Sequence, residues 1–121
     1  MNQKKTLVLG ASLNPNRFAY KAVIKLMRFS IPVTAVGMRE GSIEDVKIEK
    51  PFPEVYGIHT ITLYIGPKNQ PEYLDFILKV NPVRVIFNPG TENPEMEKLL
   101  EAKGIEVVRK CMLVMLSKGE F

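Results

Sequence analysis

Three residues near the start of the chain have the types and spacing of a phosphate-binding turn. Gly10, Ala11 and Ser12 directly follow the apolar run Thr6–Leu9, and Arg17 stands five residues further on. Glycine lets a ligand approach the backbone without a Cβ in the way, and the start of a following helix offers unpaired amides and a partial positive charge. Arg17 could reach a pyrophosphate held there, although a cation at a helix N-terminus opposes the helix dipole.

Arg39 is the strongest single candidate for a residue that contacts a further phosphate. It follows Gly37 and Met38 after a β-rich run, at the position where an NAD site carries an acidic residue. Residues 10–15 also keep only one glycine of the Gly-x-Gly-x-x-Gly fingerprint, so NAD is disfavoured. A guanidinium suits the 2′-phosphate of NADP or the 3′-phosphate of coenzyme A. A solvated loop arginine is an equally good interpretation of the sequence alone.

Glycine also stands at two later strand exits, in Ile65-Gly66-Pro67 and in Pro89-Gly90. One such exit by itself is better explained as a simple turn. Four exits that converge at one edge of a parallel sheet favour a shared ligand crevice, because ligands bind outside the carboxyl ends of parallel strands.

Strand and helix patterns alternate along the chain with short connections. We predict strands at 6–9, 32–36, 60–65, 83–87 and 105–109, and helices after 14–16 through 30, at 70–80 and at 94–103. Val46 and Ile48 allow a short extra strand, and Lys118-Gly119 favours a helix over the apolar run 112–116. The alternation predicts an α/β, three-layer Rossmann-like domain with a mainly parallel sheet of about five strands.

The bulk composition is that of an ordinary globular protein. The chain has 121 residues, 45% hydrophobic and 25% charged, which predicts one domain over 1–121. No apolar run spans a bilayer and the start is unlike a signal peptide, so we expect a cytoplasmic protein without membrane contact. The net charge of +4 is carried by scattered lysines and arginines, which makes a nucleic-acid partner a weak option.

The sequence shows no catalytic or metal-binding constellation. His59 is the only histidine and Cys111 the only cysteine, too few ligands for a zinc or iron–sulfur site. We interpret His59 as structural, Cys111 as a small core residue, and Glu92 as a favourable charge before a helix. A binding module is therefore expected rather than an enzyme.

Taken together, these motifs give the chain a resemblance to a known family. With Gly10-Ala11-Ser12 and Arg17, the 36–41 loop, the 87–93 loop, the 103–108 segment and Cys111, the chain resembles the small CoA-binding-domain proteins. The similarity covers nearly the whole chain. That family shares its Rossmann-like fold with the N-terminal domain of the succinyl-CoA synthetase alpha subunit. The resemblance implies a binder of coenzyme A or an acyl-CoA and no particular reaction.

The resemblance also implies roles for individual residues. Gly10, Ala11, Ser12 and Arg17 would contact the pyrophosphate, Gly37, Met38 and Arg39 would surround the 3′-phosphate, Ile65 and Gly66 would flank the adenine or ribose, and Pro89 and Gly90 would close the far side near the pantetheine or the phosphates. The sequence departs from the common family pattern at Phe87 and in the apolar end 112–121.

Two alternative functions stay open from the sequence. One is an NADP-dependent or other nucleotide-dependent enzyme that uses the same crevice. The other is a protein-interaction domain with a vacant crevice. The apolar segment 112–116 is, in addition, a candidate surface for a homodimer.

Overall fold

The computed structural model describes residues 4–121, so residues 1–3 of the expected single domain lie outside the described part. One seven-stranded sheet carries the structure. Its strands are β1 (Thr6–Leu9), β2 (Val33–Val36), β3 (Gly41–Ile43), β4 (Val46–Glu49), β5 (Thr60–Leu63), β6 (Arg84–Phe87) and β7 (Glu106–Val108). The helices are α1 (Phe18–Arg28), α2 (Leu74–Val80), α3 (Pro94–Ala102) and α4 (Met112–Lys118), with two 3₁₀ turns at Pro67–Asn69 and Pro71–Tyr73.

The strand order creates a switch point in the middle of the sheet. The order is β3-β4-β2-β1-β5-β6-β7, and all neighbours are parallel except the β3–β4 hairpin. After β1 the chain builds one half of the sheet, and it then crosses to β5 to build the other. Leu9 pairs with Val36 on one side and with Leu63 on the other, so three strands end at the same level. Parallel sheets bind ligands at such a point.

Both faces of the sheet are covered by helices, which confirms the predicted three-layer α/β fold. Leu7 and Leu9 belong to the core beneath α2 and α3, whereas Val8 belongs to the core beneath α1 and α4. Successive strand residues point to opposite faces, and burial on both faces explains why β1 is apolar without alternation.

The sheet has seven strands instead of the expected five or so, and the two additional strands are those of the β3–β4 hairpin. Val46 and Ile48 do form a strand as the alternation indicated, but its partner β3 is only three residues long and starts at Gly41. Only Ile43 and Ile48 of the hairpin are fully buried, so the apolar signal of this edge is weak. Glu44 makes the turn with a φ of +52°, which is uncommon for a residue other than glycine.

Two helices begin later than their patterns suggested. α1 starts at Phe18 rather than directly after 14–16, because Asn14 accepts bonds from Asn16 and Arg17 and closes a turn of its own. α2 starts at Leu74 because the proline-initiated 3₁₀ turns occupy 67–73. The apolar end is a helix as predicted: α4 buries Met112, Met115 and Leu116, and it ends at Gly119.

Candidate functional site

A large cavity lies where β1, β2 and β5 end. Its volume is about 770 Å³, within the usual range for small-molecule sites. We call it the first cavity. It is lined by nine of the residues proposed from the sequence, namely Gly10, Ala11, Ser12, Arg17, Gly37, Met38, Arg39, Ile65 and Gly66, and by Leu13, Asn14, Tyr64, Asn69, Glu72 and Tyr73.

A second cavity of about 440 Å³ adjoins the first, above the end of β6. Pro89 and Gly90, the two remaining candidates, line this second cavity and not the first. Phe18, Ala19 and Thr91 complete its own wall. The two cavities share a wall made of Gly10, Ser12, Arg17, Tyr64 and Gly66. The crevice is therefore elongated, with the β1 turn and the start of α1 at its middle.

Gly10 and Ala11 have their amides engaged within the protein. Both N–H groups donate to the carbonyl oxygen of Val36 at 2.9 Å. Gly10 has a φ of +98°, and a Cβ at this position would lie 3.0 Å from the Ile65 side chain. The conformation and the crowding both require glycine. These two residues can shape the turn, but their amides are not available to a phosphate.

Gly37 is required by the packing of the two loops. A Cβ on Gly37 would lie 2.3 Å from the carbonyl oxygen of Ala11, far inside van der Waals contact. The Gly37 amide also donates to Glu49 at 2.9 Å. Gly37 thus holds the β2 exit against the β1 turn, and this role was not visible from the sequence.

Unpaired amides lie further along the same segment. Within residues 4–121, the backbone N–H groups of Ser12 and Leu13 donate to no acceptor. The same is true of residues 18–20 in the first turn of α1. Arg17 is the N-cap of α1, and its side chain makes no capping bond. The amides and the helix dipole together favour an anion at the wall that the two cavities share.

Two exposed arginines line the crevice beside these amides. Arg17 stands at the shared wall and Arg39 on the β2 side of the first cavity. Neither forms an ion pair or a side-chain hydrogen bond with another of the described residues. Glu72 is the only carboxylate in the linings of the two cavities. The crevice therefore carries net positive charge, which suits a phosphorylated ligand.

The first cavity is also lined by two tyrosines that were not among the candidates from the sequence motifs. Tyr64 follows β5 directly and lines both cavities, and burial raises the pKa of its hydroxyl. The Tyr73 hydroxyl donates to the Met38 sulfur at 3.6 Å, and the Tyr73 ring packs on Phe52 with a centroid separation of 5.4 Å. Tyr64 lies one residue beyond the end of β5, whereas the sequence pattern predicts a strand over 60–65.

Three residues with reactive or charged side chains lie outside the lining. His59 precedes β5 and is at the opposite edge of the sheet, where burial, Arg84 and Lys4 lower its pKa. Cys111 is half-buried at the start of α4. The Glu92 carboxylate accepts from the Gly90 amide at 2.9 Å and shapes the turn there. None of the three lines either cavity.

Within residues 4–121, no helix is long and apolar enough to span a membrane, and no group of three or more His, Cys, Asp or Glu side chains is arranged to hold a metal ion.

Solved structures resemble this chain over nearly all of its length. The crystal structure of an uncharacterized protein is 45% identical, with all of both chains covered and a TM-score of 0.96. A hypothetical protein from Pyrococcus horikoshii OT3 is 26% identical, with 96% of this chain and 83% of that chain covered and a TM-score of 0.84. A Thermus thermophilus structure, 24% identical with 98% and 91% covered, has the same fold at a TM-score of 0.87.

The family comparison agrees with the resemblance inferred from the motifs. No curated protein matches the chain significantly. The CoA binding domain family matches residues 4–117, which include every strand and every residue that lines the two cavities. The chain therefore belongs to the CoA binding domain family.

Proposed function

We propose that this protein binds coenzyme A or an acyl-CoA across both cavities, as a non-catalytic module of the cytoplasm. The observation that carries the proposal is the shared wall, where Arg17 and the free Ser12 amide lie between a cavity with a second free arginine and a cavity whose other lining residues are neutral. Coenzyme A has the same order of chemical groups: a phosphorylated adenosine, a pyrophosphate and a neutral pantetheine arm.

The pyrophosphate is assigned to the shared wall. The amides of Ser12 and Leu13 and the first turn of α1 supply donors without protein partners. Arg17, whose charge is unfavourable at a helix N-terminus, becomes favourable once a dianion lies beside it. Gly10 and Ala11 contribute by shaping the turn, since their amides are bonded to Val36.

The adenosine end is assigned to the first cavity. Arg39 is free to pair with the 3′-phosphate, and Met38, 74% exposed, offers a polarizable surface to the base. Ile65 and Gly66 lie on the opposite side of the cavity. No atom lies within 4 Å of the position that a Gly66 Cβ would take, so the adenosine can approach the backbone there.

The pantetheine arm is assigned to the second cavity. Arg17 is the only charged residue in that lining, and it lies on the shared wall. Phe18, 65% exposed, Pro89 and Gly90 offer an uncharged surface beyond it. This part of the crevice suits a neutral chain better than a further phosphate.

Calorimetric titration tests the proposal directly. Wild-type protein should bind coenzyme A at least tenfold more tightly than dephospho-CoA, since loss of one charge-assisted contact costs about 1.5 kcal/mol or more. Arg39→Ala should abolish that difference, while Arg28→Ala, an exposed arginine outside both cavities, should keep it. Equal affinity of the wild-type protein for the two ligands would remove the role proposed for Arg39.

One observation also favours a second candidate. A free guanidinium at the end of β2 suits the 2′-phosphate of NADP as well as the 3′-phosphate of coenzyme A. NADP binding that is tighter than CoA binding in the same titrations would support an NADP-dependent enzyme. If no nucleotide raises the melting temperature, a protein-interaction domain with a vacant crevice is favoured.

Homodimerisation is a separate proposal about the same chain. In the apolar segment 112–116, α4 buries Met112, Met115 and Leu116 against the sheet and leaves Val114 46% exposed. A dimer through this segment would be centred on Val114. Light scattering of the wild-type protein and of Val114→Lys tests it: a dimer that the substitution dissociates supports the proposal, and a wild-type monomer contradicts it.

A further inference from the structure

Gln70 is a buried polar residue between the two loops that form the far walls of the crevice. Its side chain is 1% exposed, and it lies between the two 3₁₀ turns that follow β5. It lines neither cavity. Its contacts connect the two cavities nonetheless.

The Gln70 amide nitrogen donates one bond to each loop. One bond of 2.9 Å goes to the carbonyl of Ile65, which lines the first cavity. The other, of 2.7 Å, goes to the carbonyl of Thr91, which lines the second cavity. The Gln70 side-chain oxygen accepts from Asn93 at 3.0 Å, and Asn93 caps α3. All the polar atoms of this buried amide thus have partners.

The loop after β6 is stiff enough to transmit this connection. Thr91 bonds to the Asn88 carbonyl through both its amide, at 2.9 Å, and its hydroxyl, at 2.7 Å. Asn88 also joins β6 to β5, but its amide bonds to Thr62 and Leu63 within the strand and not to the loop beyond. Gln70 is therefore the side chain that links the Ile65 segment to the Thr91 segment past the strand ends.

We infer that Gln70 is a positioning residue that fixes the separation between the two cavities, so that one extended ligand can occupy both. The inference rests on the proposed function, in which coenzyme A spans the crevice. A ligand confined to one cavity does not need a fixed separation. A ligand that contacts both cavities needs a fixed separation. If the loops had to be ordered on binding, the entropy cost would cancel the binding free energy of the second contact.

The hydrogen-bonding groups around position 70 explain why glutamine fits there. Two carbonyl oxygens require a group with two donors, and the Asn93 amide requires an acceptor. Glutamate keeps the acceptor but places an oxygen against both carbonyls. Leucine keeps the approximate volume and leaves both carbonyls and the Asn93 amide without partners.

The experiment compares a ligand for both cavities with a ligand for one. Wild-type, Gln70→Leu and Gln70→Glu proteins are titrated with coenzyme A and with adenosine 3′,5′-bisphosphate, which lacks the pantetheine arm and the phosphate that carries it. Lys68→Ala, an exposed position in the same segment, is the control. We expect both Gln70 variants to bind coenzyme A about tenfold more weakly while their affinity for the bisphosphate changes less than about twofold.

The ratio of the two affinities separates positioning from general damage. If the Gln70 variants lose affinity for both ligands equally, or for neither, the positioning role is wrong. If the wild-type protein binds the bisphosphate and coenzyme A equally tightly, the arm makes no contact and the inference is also wrong. If the wild-type protein binds neither ligand, the proposed function itself fails. Gln70→Glu keeps the test available should Gln70→Leu not fold.

Discussion

Replacing Gly37 with alanine places one methyl group at the closest contact of the candidate site. The added Cβ would lie 2.3 Å from the Ala11 carbonyl oxygen and 3.2 Å from the Ile48 side chain. Gly37 has no positive φ, so alanine can adopt its backbone conformation. Any loss of stability in Gly37→Ala therefore comes from the steric contact and not from backbone strain. Ala11 is itself held by its bond to Val36, so the β1 turn must move as a unit.

The expected cost of Gly37→Ala follows from overpacking. Forced shifts of this kind cost about 1–3 kcal/mol, reduced by roughly 0.4–1 kcal/mol because alanine restricts the unfolded chain. For a domain of this size, roughly 4 °C of melting temperature is lost per kcal/mol. The displaced turn carries the Ser12 and Leu13 amides, so coenzyme A affinity should fall about tenfold as well.

Gly66→Ala is the matched control for Gly37→Ala. Gly66 also lines the crevice, but its backbone is extended, with φ −62° and ψ 156°, and nothing lies within 4 Å of its Cβ position. Calorimetric melting should therefore show Gly66→Ala at or slightly above the wild-type temperature and Gly37→Ala several degrees below it. Equal melting temperatures for the two variants would refute the close contact between the β1 and β2 exits.

Three further predictions concern stability. Asn88→Ala should lower the free energy of unfolding by about 3 kcal/mol in urea titrations, because Met112, Thr62 and Leu63 all lose its side chain as a partner; an unchanged midpoint would contradict this. Asn93→Ala should lower the free energy of unfolding by about 1–3 kcal/mol in the same titrations, because it removes both the α3 cap and the donor to the buried Gln70 oxygen. Asn93→Asp keeps the cap but not that donor, so it should recover only part of the loss, and full recovery would contradict the role of the Gln70 contact. The lowered pKa of His59 means that the unfolded state binds more protons, so stability should decrease as pH falls below 6.5, and His59→Gln should reduce that slope.

The fold was predictable because its signals are local. The run Thr6–Leu9 followed by glycine, and the helical spacing of Ala19, Ala22, Val23 and Leu26, indicate a buried strand and an amphipathic helix without tertiary information. The alternation at Val46 and Ile48 indicated β4, but β3 was not predicted because it is only three residues long and lies at the edge of the sheet. The stability of the hairpin comes from Ile43 and Ile48 packing beneath α1, a contact that the chain order does not reveal.

The candidate site was predictable in position but not in its bonding. Glycine and arginine at strand exits locate the crevice, because parallel strands all end at one edge. The pattern does not show which loops are hydrogen-bonded to each other. The Gly10 and Ala11 amides, for example, donate to Val36, which lies 26 and 25 residues further along the chain, respectively. Gln70 was missed for the same reason, since a lone glutamine at the start of a predicted helix gives no signal that it joins two loops.

An amide-resolved NMR titration with coenzyme A would locate the ligand on the protein without any substitution. Coenzyme A should cause the largest shifts at the amides of Ser12, Leu13 and residues 18–20, which have no acceptor among residues 4–121. Those of Gly10 and Ala11, bonded to Val36, should move less. Shifts concentrated away from the shared wall of the two cavities, or no shifts at saturating ligand, would contradict the proposed binding site.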